Sequence, residues 1–164
     1  ELEQLGGSAL LSDIPIQETG GRGNLPNTFV PGRNLLFLVL AAAWAYQLEC
    51  HHLVGGMCQT DYSGYPDCRR ATIDALEQAI RLGMEWDITI HTPLMFLTKA
   101  ESVKLAIEVG ALEALAYSHT CYEGRFPPCG QCPACRLRAR GFEEAGIEDP
   151  LIVRARSTIS SPQS

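Results

Sequence analysis

The sequence is short of positive charge. Its 164 residues carry 13 Lys and Arg against 19 Asp and Glu, a formal net charge of -6 at pH 7. Capturing nucleic acid through its phosphates needs a basic face, so this balance argues against that class of protein. Long hydrophobic runs are missing too. The stretch from Leu35 to Leu48 is uncharged and mostly apolar, but it is 14 residues long. A membrane span needs about 20, so a buried core helix is expected there and no membrane partner. Cysteine is not dense, with seven in the chain, and no secretory hydrophobic region precedes them in this sequence. That disfavours a disulfide framework and leads to the expectation of a reducing, cytoplasmic setting. No internal repeat is visible. The 46% of hydrophobic residues are enough for one core, so a single domain over residues 1–156 is expected, with a polar tail, 157–164, that frays.

What is present is concentrated. Cys121, Cys129, Cys132 and Cys135 fall within fifteen residues, three of them in overlapping C-x-x-C steps. Two-residue gaps let a short turn aim consecutive sulfurs at one point, and the longer gap after Cys121 is a loop that can return the fourth. A divalent ion with tetrahedral preference fits four thiolates, and zinc is the usual occupant. With four protein ligands no position remains for an activated water, so the site is read as structural. Disulfides and an iron–sulfur cluster compete for the same cysteines. The usual cluster run, however, continues downstream with Cys-Pro, whereas here the fourth cysteine lies upstream.

Along the chain, Gly and Pro make residues 1–32 an irregular lead-in, with at most a helical turn near Leu2 to Leu5. Pro31-Gly32 punctuates the start of a helix from about Asn34, its expected N-cap, to Leu48. A short buried strand is expected over Leu53 to Gly56, a second helix over Arg69 to Leu82 and another strand over Ile88 to His91. Thr98-Lys-Ala-Glu101 is a capping box that opens a third helix. A further strand is expected at Leu115 to Ser118. Pro133 starts a helix running to about Ala145. Strands alternating with helices favour an α/β fold with a parallel sheet covered on both faces, and ligands bound where the helices begin.

Three of those helix starts carry cations: Arg33, Arg69 with Arg70, and Lys99. A helix N-terminus is itself partly positive, so a cation there is unfavourable by about 0.3–1 kcal/mol unless an anion is held beside it. Solvated surface charges, with Asp67 and Glu101 nearby, are the plain alternative. The loop from Gln59 to Cys68 adds Tyr62 and Tyr65, which could stack on a planar heterocycle. Its Asp61 and Asp67 could accept paired hydrogen bonds from an amino-pyrimidinone edge. An ordinary turn of Asp, Ser, Gly and Pro explains the same residues.

Four segments then occur in order: PNTFVPGRN (Pro26 to Asn34), TDYSGYPDCR (Thr60 to Arg69), HTPLMFLTKAE (His91 to Glu101) and TCYEGRFPPCGQCPACRLR (Thr120 to Arg138). Together they resemble the QueC, or 7-cyano-7-deazaguanine synthase, family over nearly everything from Leu2 to Pro150. The resemblance implies a Rossmann-like parallel sheet of the adenine nucleotide alpha hydrolase, PP-loop type. It implies a ligase that uses ATP with magnesium to activate the carboxylate of 7-carboxy-7-deazaguanine. Ammonia displaces the activated group, and a second ATP-driven step dehydrates the amide to the nitrile. The four cysteines match the family's zinc ligands. Lys99 and Arg69 become the residues expected to carry the reaction, and Arg33, Asp61, Tyr62, Tyr65 and Asp67 those expected to bind substrate. Small molecules are the expected partners, nucleic acid and membrane are not, and a homodimer is compatible.

One departure stands against these matches. The family's SGGxDS phosphate loop is absent, and Leu5-Gly-Gly-Ser8 lacks its Asp-Ser half. The sequence therefore reads as a member without its first portion, expected to bind ATP poorly by itself, for want of the backbone N–H groups that cradle phosphates. Two other readings remain: a PP-loop relative acting on another acceptor such as a tRNA base, and an inactive fragment held together by zinc.

Overall fold

The computed structural model describes residues 7–19, 21–60 and 64–160. Contacts divide the chain into two compact units, the first ending at Phe96 and the second beginning at Leu97. The division falls inside the span 1–156 taken as one domain from the sequence. No helix among the described residues is long and apolar enough to cross a membrane.

The first unit is α/β. Its helix α1 spans Arg33–Gln47, strand β1 His52–Val54, helix α2 Arg70–Met84 and strand β2 Thr89–His91. The strands pair in parallel, His52 opposite Thr89 and Val54 opposite His91. Such a pair needs a crossover, and α2 supplies it. α2 is amphipathic as expected, with Ile73 and Ile80 buried. They meet Leu38, Ala42 and Ala45 of α1, together with Ile88, Ile90 and Met95, in one core against which Leu53 and Leu76 pack. The covered face of the sheet is thus Leu53 and Ile90. The opposite face carries exposed His52, Val54 and His91, so among the described residues the expected two-sided cover exists on one side. Glu77 of α2 accepts the Ile90 N–H at 2.6 Å, satisfying a donor that would cost free energy if left unpaired.

Asn34 is not the N-cap of α1. Gly32 is, with φ of 73°, a left-handed conformation that glycine adopts without strain. The reversal at Gly32 makes Arg33 the first helical residue, and Asn34 is left with a backbone N–H that needs a partner from elsewhere.

In the second unit, α3 spans Lys99–Glu108, α4 Pro133–Ala145 and α5 Pro150–Ser160. The capping box is present: Thr98 Oγ1 accepts from the Glu101 N–H at 3.2 Å, and Glu101 Oε2 accepts from the Thr98 N–H at 2.7 Å. α3 and α4 are in contact, and Gly141 is what lets them approach. A Cβ there would lie 2.6 Å from Lys99 Cβ. The expected strand at Leu115 to Ser118 is instead a 3-10 turn over Leu112–Ala116. Its Leu-Glu-Ala-Leu-Ala sequence is made of good helix formers, and strand propensity is poor for Ala and Glu. Helix α5 was not expected, and it runs through Ser160 into the segment read as fraying. Asp149 starts it, its Oδ1 accepting the Leu151 N–H at 2.9 Å, with Pro150 as first helical residue and Leu151 and Ala155 buried on one face.

Arg138 of α4 holds these pieces together. Its Nε and Nη2 donate to the two Asp149 carboxylate oxygens at 2.6 and 2.8 Å. Nη2 also reaches Leu115 O at 2.9 Å, Nη1 reaches Ser118 Oγ at 2.9 Å, and the guanidinium lies 5.2 Å from the centre of the Phe142 ring. Both members of the pair are largely buried, at 11% and 9% side-chain exposure, so removing one strands the other charge. Arg138→Met should therefore destabilise the protein by about 3–5 kcal/mol in urea denaturation, and Arg138→Lys should restore only part of it.

Candidate functional site

The cysteine loop is built by local rules. Cys132 is the N-cap of α4 and Pro133 its first residue, so the chain turns sharply between the third ligand and the fourth. Gly124 and Gly130, with φ of 64° and 71°, supply left-handed turns on either side of Pro127-Pro128. Cys121, Cys132 and Cys135 are buried and Cys129 is half-buried. Backbone N–H groups point at the sulfurs: Cys129 N lies 3.5 Å from Cys121 Sγ, and Gln131 N and Cys132 N lie 3.4 and 3.3 Å from Cys129 Sγ.

The four sulfurs all lie within 4.8 Å of one another. Cys129 Sγ and Cys135 Sγ are 3.9 Å apart, about twice a disulfide bond length. Four sulfurs at ~2.3 Å from one tetrahedral ion are about 3.8 Å apart, so the cluster has the size of a single-ion site. A four-iron cluster places each thiolate on a different iron and needs them wider apart. The two deepest-shifted thiols move in opposite directions. Burial works to raise Cys121, but the N–H groups of Cys129, Arg125 and Glu123 outweigh it and bring it down to about 6. Burial pushes Cys135 far up, against the Gly130 N–H and with the neighbouring sulfurs adding to the rise.

In the first unit the starts of α1 and α2 are joined. The Asn34 N–H donates to Asp67 Oδ2 at 3.1 Å, and Asn34 Nδ2 lies 3.1 Å from Cys68 Sγ. Asp67 is 5% exposed, so its carboxylate caps a helix contributed by another segment. Tyr65 is buried; its hydroxyl shares a 2.5 Å hydrogen bond with Thr28 Oγ1, and its ring lies 5.6 Å from that of Phe29. Asp67 and Tyr65 thus knit TDYSGYPDCR to PNTFVPGRN. Arg69, exposed, is the N-cap residue of α2 and donates to Gly64 O at 3.3 Å. Arg33 is half-buried, with no partner for its guanidinium among the described residues. Two of the three cationic helix starts therefore adjoin. Lys99 opens α3 in the second unit, half-buried, its stem against Gly141. Asp61 and Tyr62 lie outside the described residues.

Thr28 and the Asn34 amide escaped the sequence reading, and Arg70, read there only as a cation at a helix start, donates from Nη1 to Thr92 Oγ1 at 2.8 Å while it pairs with Asp74. Each lies in or beside a motif already singled out. Nothing in the spacing shows which residues of two motifs will meet.

Because Asp67 caps α1, Asp67→Ala should cost about 0.5–2 kcal/mol. Amide exchange should accelerate first at Asn34 and its neighbours in α1, and unchanged exchange there would refute the cap.

Comparison with known sequences fits this picture. Residues 1–146 match the family described as queuosine biosynthesis protein QueC. The chain is similar to the 7-cyano-7-deazaguanine synthase of Chromobacterium violaceum, at 60% identity over 155 residues. It is also similar to those of Laribacter hongkongensis, at 61% over 152, and a Caulobacter species, at 53% over 148. These matches cover 93%, 92% and 84% of this chain, which spans 66%, 66% and 58% of the relatives' lengths. The order of four motifs, the four-sulfur cluster and identities above one half leave one assignment: the chain belongs to the QueC family.

Proposed function

We propose that this chain works in the synthesis of 7-cyano-7-deazaguanine, as part of an ATP-dependent carbon–nitrogen ligase. The observation that carries the reading is its 60% identity, over 155 residues, to a relative bearing that synthase name. The substrates are 7-carboxy-7-deazaguanine, ammonia and ATP with magnesium. The fold is the adenine nucleotide alpha hydrolase type, to which the parallel β1–α2–β2 unit of the chain conforms. A cytoplasmic setting suits seven free thiols.

The residues divide by what they can offer. Arg33 and Arg69 bring guanidinium donors to adjoining helix starts, where backbone N–H groups and positive charge both suit a carboxylate or phosphate oxygen. Lys99 supplies a point charge at the start of α3, suited to the negative charge that builds on a transferring group. Asp61 and Tyr62 offer an acceptor and a stacking face for the heterocycle. Asp67 and Tyr65 hold the loop that presents them, since the Asp67 carboxylate caps α1 and the Tyr65 hydroxyl is bonded to Thr28. The four cysteines hold one zinc ion, which with four protein ligands supplies structural cross-linking and no open position for chemistry. The partners are small molecules, with the acidic balance of the chain unsuited to a tRNA acceptor.

A chimera tests this directly. The matched residues of the Chromobacterium violaceum synthase are replaced by those of this chain, and nitrile formation is followed by mass spectrometry with ATP, magnesium and ammonium. The chimera should make the nitrile. Lys99→Met in it should depress turnover by about 10²–10³ while leaving the melting temperature nearly unchanged. A folded, metal-loaded chimera that makes no nitrile, or a Lys99→Met variant of full activity, would overturn the assignment.

A further inference from the structure

A second group of metal-ligating side chains lies in the first unit, on the exposed face of the β1–β2 pair. The register sets His52 opposite Thr89 and Val54 opposite His91. Side chains two apart share a face of a strand, so His52 and His91 project to the same side, one diagonal step apart. Both are exposed. His91 Nε2 lies 3.1 Å from His52 Nδ1, with ring centres 5.1 Å apart and planes at 49°. The chain has four histidines. His51 is engaged elsewhere, stacked on Trp86 at 4.3 Å with Nδ1 at 2.6 Å from Asp87 O, and His119 belongs to the second unit.

Two imidazoles facing each other at this distance have two ways to be content. In one, a single N–H donates to the other ring's lone pair. In the other, both lone pairs face a cation. Two nitrogens at ~2.0–2.1 Å from one ion are about 2.9 Å apart at a right angle and about 3.4 Å apart at the tetrahedral angle, and the 3.1 Å spacing of the pair lies between the two. We propose that His52 and His91 form a second metal site, for an imidazole-preferring divalent transition ion such as zinc or nickel. The two strands fix the ring spacing in advance, so little reorganisation opposes binding. On binding, the proton shared by the pair passes through solvent to the outer nitrogen of its own ring, leaving both imidazoles neutral and both facing nitrogens free to coordinate. No proton is lost overall. Water fills the remaining positions. This is the opposite of the cysteine cluster: two nitrogen ligands, open and exchangeable, against four sulfurs, closed.

The probe is zinc added to protein whose cysteine cluster is already filled. Titration calorimetry should show one further ion per chain, and affinity should fall at least roughly tenfold in His52→Ala and in His91→Ala, each of which removes half the ligand set. Because both residues are exposed, neither change should alter the melting temperature. Nitrogen-15 spectra of the unmodified protein give an independent reading, with Nδ1 of His52 and Nε2 of His91 shifting on zinc addition while His51 and His119 stay in place. Shifts at His51 or His119 instead, or further zinc binding that survives both substitutions unchanged, would overturn the site.

Discussion

Four sulfurs held within 4.8 Å of one another are the constraint on which the second unit turns. Two thiolates at the 3.9 Å spacing of Cys129 and Cys135 repel by about 4 kcal/mol even at an effective dielectric of 20, and four raise six such pairs. The backbone N–H groups aimed at Cys121 and Cys129 offset part of this; a central dication cancels most of it. An ion held there would convert a loop that repels itself into one that starts α4 at Cys132. From there the dependence runs along the helix, because α4 carries Arg138, and Arg138 binds Asp149, which caps α5. Its other donors hold Leu115 and Ser118 of the segment leading back to Cys121. Loop, α4 and α5 form one chain of consequences.

The first unit has a different logic. There a buried carboxylate and a buried hydroxyl join two motifs that lie more than thirty residues apart. Asp67 reaches the first turn of α1 and Tyr65 reaches Thr28, so the loop after β1 is fixed onto the segment before α1. The start of α1 and the start of α2 are adjacent as a result, and the cations Arg33 and Arg69 come with them. An aspartate used in this way does two things at once: it ends a helix properly, and it lowers the cost of having an arginine beside that helix N-terminus.

Much of this was legible wherever the chemistry is local. The capping box Thr98–Glu101, the Pro133 start of α4 and the buried stripe Ile73–Leu76–Ile80 are read from neighbours three and four residues apart, and all three stand in the structure. The cysteine cluster was legible because its spacing leaves the sulfurs few other places to go. Two errors were also local. Asp149-Pro150 is an N-cap followed by a favoured first helical residue, and it marks α5 plainly, while Leu112 to Ala116 has the composition of a helical turn. Asn34 misled for a tertiary reason. It is a good cap by type, but Gly32 took the position by its backbone conformation, and the carboxylate that satisfies Asn34 comes from a segment remote in sequence. The roles of Thr28 and Arg70 likewise depend on partners that no local pattern names.

The central claim is that one metal ion closes the cysteine cluster and that this ion is zinc. X-ray absorption at the zinc edge on purified protein measures it most directly. The expected result is one zinc per chain with four sulfur neighbours at ~2.3 Å and no nitrogen or oxygen in the first shell. A shell containing lighter atoms, iron in place of zinc, or protein that purifies folded and free of metal would contradict it.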